Sequence, residues 1–363
     1  MGEEMDSPRG RIVLMKQVLE GDLQGDEARP FIDRCLGCLA CETACPSGVR
    51  YRELVVPFRS RLEEHGRPWH VRWSRTALLT LLESPAAFRI AYMAGRVTRR
   101  TLQLFGGRPF VERSSLLAML RAPLPAAIPL PSLTPAVGKR RARVALLAGC
   151  VQRTLRPTIN AATIRLFAAN GVDVIVPADQ ACCGALALHA GHAARAATLT
   201  ARNVRAFPSG VDAIVTNAAG CGSAMKEHEY PAPVQDVSEF LDALGLRTAH
   251  TFDRPTVVAY HDACHLSHGQ GVRRAPRRLL QQVANLTLAE LADGETCCGS
   301  AGLYNLEQPR TAAELGRRKA AAIAATDASL VAAGNIGCIT QIEAYSPIPV
   351  SHTIEILAYS LRD

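Results

Sequence analysis

The chain has 363 residues, and at roughly 150 residues per domain this suggests two or three folded units. Hydrophobic residues make up 48% and charged residues 20%, the balance of an ordinary globular protein. Lys and Arg number 41 against 33 Asp and Glu, a formal charge of +8. That excess suits docking on an acidic partner or an anionic membrane face. Without an aromatic-plus-basic signature or zinc-finger spacing, it gives no reason to expect nucleic acid.

The opening, MGEEMDSPRGRI, leads into no apolar stretch that could act as a secretory signal, and a proline-glycine turn is expected near residue 8. The most apolar runs, Thr76–Leu82 and Val144–Cys150, are far shorter than the ~20 residues of a membrane-spanning helix. A cytoplasmic protein is expected, any membrane contact being peripheral. Twelve cysteines fall well short of the ~8–10% of a disulfide scaffold. In a reducing compartment, clustered cysteines read as metal-binding or catalytic.

Residues 1–75 hold the sharpest motif, Cys35-Leu-Gly-Cys38-Leu-Ala-Cys41-Glu-Thr-Ala-Cys45-Pro46. This C-x2-C-x2-C-x3-C-P spacing is the bacterial ferredoxin run, in which a short loop wraps a 4Fe-4S cubane. Zinc is the competing reading, but zinc knuckles use two separated pairs rather than one contiguous quartet. In two-cluster ferredoxins the fourth cysteine of a run serves the other cluster. Cys45 therefore either completes one cubane with Cys35, Cys38 and Cys41, or belongs to a second run that is missing here, as a start codon placed too late would leave it.

A charged helix is expected over Arg50–His65, and amphipathic helical patterns at Thr76–Leu82 and Ser114–Leu120 fill residues 76–138. Proline at 123, 125, 129 and 131 makes Ala122–Gly138 a stiff linker. The basic run from Lys139 to Arg143 reads as a solvated charge cluster.

From residue 139 the chain repeats itself. Residues 139–250 predict a strand Val144–Ala148 ending at Cys150, a helix Pro157–Asn170, a strand Val172–Val176, then Cys182-Cys183-Gly184, and a strand Ala213–Thr216 ending at Cys221. Residues 251–363 predict a strand Thr256–Tyr260, with Cys264 four residues beyond it. A helix Val272–Val283, then Cys297-Cys298-Gly299, a helix Thr311–Thr326 and a strand Ser329–Ala332 before Cys338 follow. The offsets 150→264, 183→298 and 221→338 are 114, 115 and 117 residues, which marks a duplication. Strands alternating with helices imply two α/β modules with parallel sheets. Ligands of such sheets sit at the carboxyl ends of the strands, where all these cysteines fall.

Adjacent cysteines do not easily form a disulfide with each other, and bridging irons or clusters is a natural use for the pairs. The glycine after each pair permits the positive φ of a tight turn. Cys150, Cys182, Cys183, Cys221, Cys264, Cys297, Cys298 and Cys338 are thus candidate ligands of one or more further clusters. A buried small hydrophobe is the competing reading for any one of them. His261, His265 and His268 could ligate metal, hydrogen-bond to a cluster or carry protons, or be plain loop histidines. His189 and His192 are assigned no role. No dinucleotide fingerprint, P-loop or nucleophile elbow is present, so substrate chemistry is expected on another subunit.

These residues bring a family into view. The stretches Asp6-Ser-Pro-Arg-Gly-Arg-Ile12, Leu14-Met-Lys-Gln-Val-Leu-Glu-Gly21, Asp33-Arg-Cys-Leu-Gly-Cys38, Cys45-Pro-Ser-Gly-Val-Arg-Tyr51, Asn160-Ala-Ala-Thr163, Ala181-Cys-Cys-Gly-Ala185, Cys297-Cys-Gly-Ser-Ala-Gly302 and Asn335-Ile-Gly-Cys338 span nearly the whole chain. They resemble the iron–sulfur subunits of glycolate oxidase (glycolate dehydrogenase), which carry cysteine-rich CCG domains. Heterodisulfide reductase subunits and the C subunit of anaerobic glycerol-3-phosphate dehydrogenase are similar at greater distance. The resemblance implies flavin-containing partner subunits that oxidise glycolate or a similar 2-hydroxy acid, with electrons passing through this chain toward membrane quinone. Family members carry two ferredoxin runs, and the one present here matches the second. In the disulfide-reducing relatives the last landmark reads C-x-x-C, whereas Ala224 and Gln341 stand here, which weighs against an unusual noncubane cluster.

The expected fold class is α+β overall, a small helical ferredoxin-type 4Fe-4S domain followed by two α/β parallel-sheet CCG modules. The expected function is electron transfer as an oxidoreductase subunit that does not itself act on glycolate. A cluster-based disulfide reductase subunit is the alternative, and a structural zinc protein a third reading.

Overall fold

The computed structural model describes residues 3–65, 67–105, 120, 123–247 and 250–361. The pattern expected over Ser114–Leu120 lies outside them except for Leu120. Near the start, Ser7 Oγ accepts the Gly10 N–H at 2.9 Å. Pro8 sits at the first helical position, where its missing N–H costs nothing. Residues 8–10 therefore open a helix, α1 (Pro8–Glu20), rather than forming the expected turn, and left-handed Gly21 ends it.

Helices α2 (Gly25–Asp33), α3 (Ala40–Thr43) and α4 (Arg52–Glu64) follow, and Met15, Ile32, Tyr51, Val55, Phe58 and Leu62 pack between them as a small core. Two longer helices come next, α5 (Trp69–Glu83) and α6 (Pro85–Leu104). They are joined through Ser84, whose hydroxyl caps α6 by accepting the Ala87 N–H. Residues 123–132 form no helix, as their prolines require. The expected linker does contain a two-residue strand, β1 (Leu133–Thr134), antiparallel to the edge of the first sheet.

The first module contains β2 (Ala142–Leu147), α7 (Val151–Leu155), α8 (Pro157–Ala169), β3 (Val172–Ile175), α9 (Ala185–His189) and α10 (Ala193–Ala206). It continues through β4 (Ala213–Thr216), α11 (Ala219–Met225), β5 (Val234–Asp236) and α12 (Val237–Leu244). The second contains β6 (His250–His261), α13 (Cys264–Ser267), α14 (Arg274–Gln281), β7 (Val283–Glu290), α15 (Tyr304–Glu307) and α16 (Pro309–Ala324). It closes with β8 (Leu330–Ala333), α17 (Ile336–Tyr345), β9 (Val350–His352) and α18 (Thr353–Ser360). The sheet orders are β1-β3-β2-β4-β5 and β7-β6-β8-β9. With β1 set aside, both read second-first-third-fourth, and every pairing is parallel. The fold is mixed α/β, with one parallel-sheet module present twice.

The strands differ from expectation in ways that have physical causes. Val283 begins β7 instead of ending a helix, because α14 stops at Gln281. Central β2 and β4 are buried on both faces and read as unbroken apolar runs. Edge strand β7 is largely exposed, which blurred its signal. The two modules share one core, in which Phe167 stacks on Phe240 with ring centroids 5.6 Å apart. Helix α8 packs on α18, and α12 packs on α14. Each of these contacts is the other with the two copies exchanged, the signature of a pseudo-two-fold relation between duplicated modules.

Candidate metal centres

In both sheets the strand order reverses between the first and third strands, and crevices outside the carboxyl ends at such points are where α/β folds bind ligands. Cys150 and Cys264 each lie three residues beyond the end of the first strand. The expected placements, directly after one strand and four residues after the other, thus converge on one position. Cys221 and Cys338 are each the third residue of the helix after the third strand. Each vicinal pair follows the second strand and precedes a left-handed glycine, Gly184 at φ 85° and Gly299 at φ 94°.

The eight side chains close into two quartets of the same connectivity. Cys150 Sγ lies 3.3 Å from Cys182 Sγ; Cys182 bonds Cys183, which bonds Cys221. In the second module Cys264 bonds Cys297, Cys297 bonds Cys298, and Cys298 bonds Cys338. All twelve cysteines are free thiols. His261 adds an imidazole to the second quartet: its ligating atom and those of Cys298 and Cys338 lie within 4.8 Å of one another.

The electrostatics of the quartets follow from shared protons. Cys182 and Cys297 are held well below the usual thiol range because sulfurs on both sides donate to them. Their donors, Cys150, Cys183, Cys264 and Cys298, are driven up by giving those bonds and by burial. Cys338 is lowered by Cys298 first and by His261 as well. Buried sulfurs this close cannot all be thiolates without a compensating cation. A soft thiolate donor set of this kind selects iron–sulfur, zinc or cuprous copper over hard cations, so the residues fit an iron–sulfur cluster.

The two vicinal loops are pinned from equivalent positions that no sequence motif marks. Asn203 on α10 accepts the Ala181 N–H at 2.7 Å and donates to the Cys182 carbonyl at 3.0 Å. Lys319 stands 116 residues later on α16; it is fully buried and donates to the Asp293 carbonyl at 2.9 Å. A polar residue inside an otherwise apolar helical face, repeated at the duplication offset, was the available signal. Gln341, at the position where disulfide-reducing relatives carry a cysteine, donates to the Ala312 carbonyl at 3.0 Å.

In the N-terminal loop, Gly37 (φ 65°) and Leu39 (φ 64°) are both left-handed. Leu39 is unusual there, since a side chain in that region costs about 1–2 kcal/mol. Alternating handedness turns successive N–H groups inward, a concavity that suits the anionic sulfurs of a cluster. Cys35 Sγ accepts the Gly37 N–H at 3.4 Å and the Tyr51 hydroxyl at 3.8 Å, and Cys45 Sγ accepts the Val49 N–H at 3.4 Å. Cys35, Cys38 and Cys41 feel one another's charge. Cys38 is pushed up to about 12, first by burial and next by the charge of Cys297.

The main feature of the assembly is that the N-terminal loop lies on the second module, beside the residues that carry its quartet. His265, beside Cys264, donates to the Gly37 carbonyl, and burial lowers its imidazole to about 4. Its ring meets that of His189 edge-on at 4.9 Å. Thr43 bonds His268 at 2.6 Å, Tyr304 donates to the Arg34 carbonyl at 3.2 Å, and Arg52 bridges Glu42 and Glu227. His192 lies apart, 3.6 Å from Glu63.

The first quartet faces differently. Cys150, Cys182, Cys183 and Cys221 line a cavity of about 1050 Å3, whose other walls include Leu82, Phe88 and Tyr92. One quartet is thus covered by the N-terminal cysteines, and the other opens to space that a ligand can enter.

The cysteine-rich CCG domain family matches residues 144–226 and 258–343, one match per module. Along nearly its full length the chain is similar to two bacterial proteins. It is 33% identical to the probable glycolate oxidase iron-sulfur subunit of Bacillus subtilis, over 94% of this chain and 83% of that protein. It is also 33% identical to the glycolate oxidase iron-sulfur subunit of Escherichia coli, over 100% of this chain and 90% of that one. A more partial likeness, 35% over 49% of this chain and 37% of the other, links it to a subunit of the CoM/CoB fumarate reductase of Methanothermobacter marburgensis.

Proposed function

Since the chain belongs to the family of glycolate oxidase iron–sulfur subunits, we propose that it relays electrons from the flavin of a partner subunit oxidising glycolate or a similar 2-hydroxy acid toward membrane quinone. We assign the loop Cys35, Cys38, Cys41 and Cys45 to a ferredoxin-type 4Fe-4S site within a domain of residues 1–75. Each CCG quartet is assigned to a cluster site in the modules 139–250 and 251–363, the segment 76–138 joining them. Iron–sulfur clusters supply one-electron carriers with potentials of roughly −700 to +450 mV, set by burial and by hydrogen bonds to sulfur.

The observation that carries this reading is the seating of the N-terminal loop on the second module, where Thr43 bonds His268 at 2.6 Å and Arg52 reaches the Gly269 carbonyl, set against the cavity at the first quartet. An electron path needs adjacent centres and an exit. Two features support such a path: the N-terminal loop sits on the module that holds Cys297, and the Cys150 quartet lines a cavity. The Gly37 N–H and the Tyr51 hydroxyl on Cys35, with the Val49 N–H on Cys45, would favour negative charge on those sulfurs. Asn203 and Lys319 fix the loops of the other two.

Anaerobic mixing of the chain with its flavin partner and glycolate tests the proposal. Electron paramagnetic resonance should show reduced clusters only when both glycolate and partner are present, and Cys38→Ser should remove one signal. Reduction that is indifferent to partner and glycolate would overturn it. The cavity beside the first quartet supports a second reading, in which a small disulfide is reduced there directly. Two-electron reduction of a disulfide to two thiols by the isolated subunit, with a reduced viologen dye as electron donor, lost in Cys183→Ser, would favour that reading over the relay.

A further inference from the structure

The cavity is walled by α6, and the opposite face of that helix is exposed. Ile90, Met93, Val97 and Leu104 recur at intervals of three, four and seven residues, a single stripe along the helix. All four are exposed, Leu104 at 83%, with Phe105 beyond it at 85%. Arg89, Arg96 and Arg100 run along one flank of the stripe at the same helical spacing. No described helix is long and apolar enough to cross a membrane.

We propose that the α5–α6 pair is the surface on which this protein docks to an anionic lipid bilayer. Charge complementarity selects that occupant. Residues 69–105 contain six arginines and one acid, Glu83, which Arg195 already neutralises. Arg75 is spent on Glu63 and Glu307, but Arg72 and Arg100 are exposed. An aliphatic stripe flanked by arginines is the pattern of a helix lying in the headgroup plane, its aliphatic side among acyl chains. Trp69 and Trp73 on α5, both exposed, are the residues that settle at such an interface. The inference rests on the relay reading for its purpose. A helix lying on the bilayer by one face while Phe88, Tyr92 and Gly95 line the cavity by the other would bring that cavity within reach of a lipid-soluble acceptor.

Because Trp69 and Trp73 are the chain's two tryptophans, their emission reports on this surface alone. The full-length, cluster-loaded protein is mixed with vesicles of phosphatidylglycerol and phosphatidylethanolamine, and separately with phosphatidylcholine vesicles. The expected result is flotation with the anionic vesicles only, a blue shift in emission, quenching by brominated acyl chains, and release by salt. Each arginine near an anionic surface contributes about fivefold to partitioning. Arg96→Ala with Arg100→Ala should therefore weaken binding about 25-fold. Val97→Glu should weaken it at least tenfold, with iron content unchanged in each variant.

No flotation with anionic vesicles, or variants that bind like the parent, would overturn the proposal. So would a tryptophan shift produced by the flavin subunit without lipid and abolishing flotation, since the face would then be a protein interface. Glycolate-driven cluster reduction in solution is scored separately, so failure of docking and failure of the relay are told apart.

Discussion

The glycine after each vicinal pair offers a paired test, because the duplication places it in two environments. A Cβ built on Gly299 would stand 2.6 Å from the Ala312 carbonyl oxygen, a backbone atom of α16 that cannot swing aside. The same atom on Gly184 would meet Ala196 Cα and O at 3.2 Å, which a shift of a few tenths of an ångström relieves. Both substitutions carry the left-handed penalty of about 1–2 kcal/mol. Gly299→Ala adds an overpacking cost of about 1–3 kcal/mol. Gly299→Ala should therefore cost about 2–5 kcal/mol and Gly184→Ala about 1–2. Because Gly299 N–H also donates to Cys297 Sγ at 3.4 Å, displacing the turn should lower iron at the second quartet. Anaerobic urea unfolding with iron analysis of each variant measures both effects. Equal costs, or a Gly299→Ala cost under about 1 kcal/mol, would refute the steric argument.

Asn203→Leu should cost about 2–4 kcal/mol, since it strands the Ala181 N–H and the Cys182 carbonyl in a buried site; the signal of the first quartet should weaken while that of the N-terminal loop persists. Glu63 is buried, 2.6 Å from Arg67 and 3.5 Å from Arg75. Glu63→Gln leaves Arg67 with Asp33 alone and Arg75 with Glu307 alone, and should lower stability by about 1–2 kcal/mol in the same assay. His352 caps α18 by accepting the Ile354 N–H at 3.1 Å, and burial lowers its imidazole to about 4. It therefore stays neutral in the fold but protonates in the unfolded chain near pH 6.5. Its contribution is complete above that value and is lost as pH falls toward 4, about 2 kcal/mol being gone by pH 5. His352→Asn keeps a capping side chain and should remove that part of the acid loss in urea titrations at pH 7.5 and 5.

Much of this architecture could be read from the residues because its signals were dense. Val144–Leu147 and Ala213–Thr216 are apolar on both faces, and the cysteines recur at a constant offset. Strands β5 and β9 are three residues long, and β7 is solvated, so none generated a periodic pattern. The helices that follow β5 and β9 carry the same capping box, from Asp236 to Glu239 and from His352 to Glu355, a duplicated landmark hidden by the exchange of Asp for His. Spacing identified the twelve cysteines as ligand candidates and the repeat sorted eight of them into two sets of four, but only three-dimensional packing shows the order in which each set is bonded and seats the N-terminal loop on the second module. That seating joins residues more than 200 positions apart, Thr43 to His268 and Arg52 to Gly269, none of which forms a motif.

The most direct test is iron and acid-labile sulfide per chain in anaerobically purified protein, measured beside Cys38→Ser, Cys183→Ser and Cys298→Ser. The account predicts iron and sulfide together in the parent and a different portion lost in each variant, one for each centre. A colourless protein containing zinc or no metal, or three variants with the parent's iron and sulfide, would contradict it.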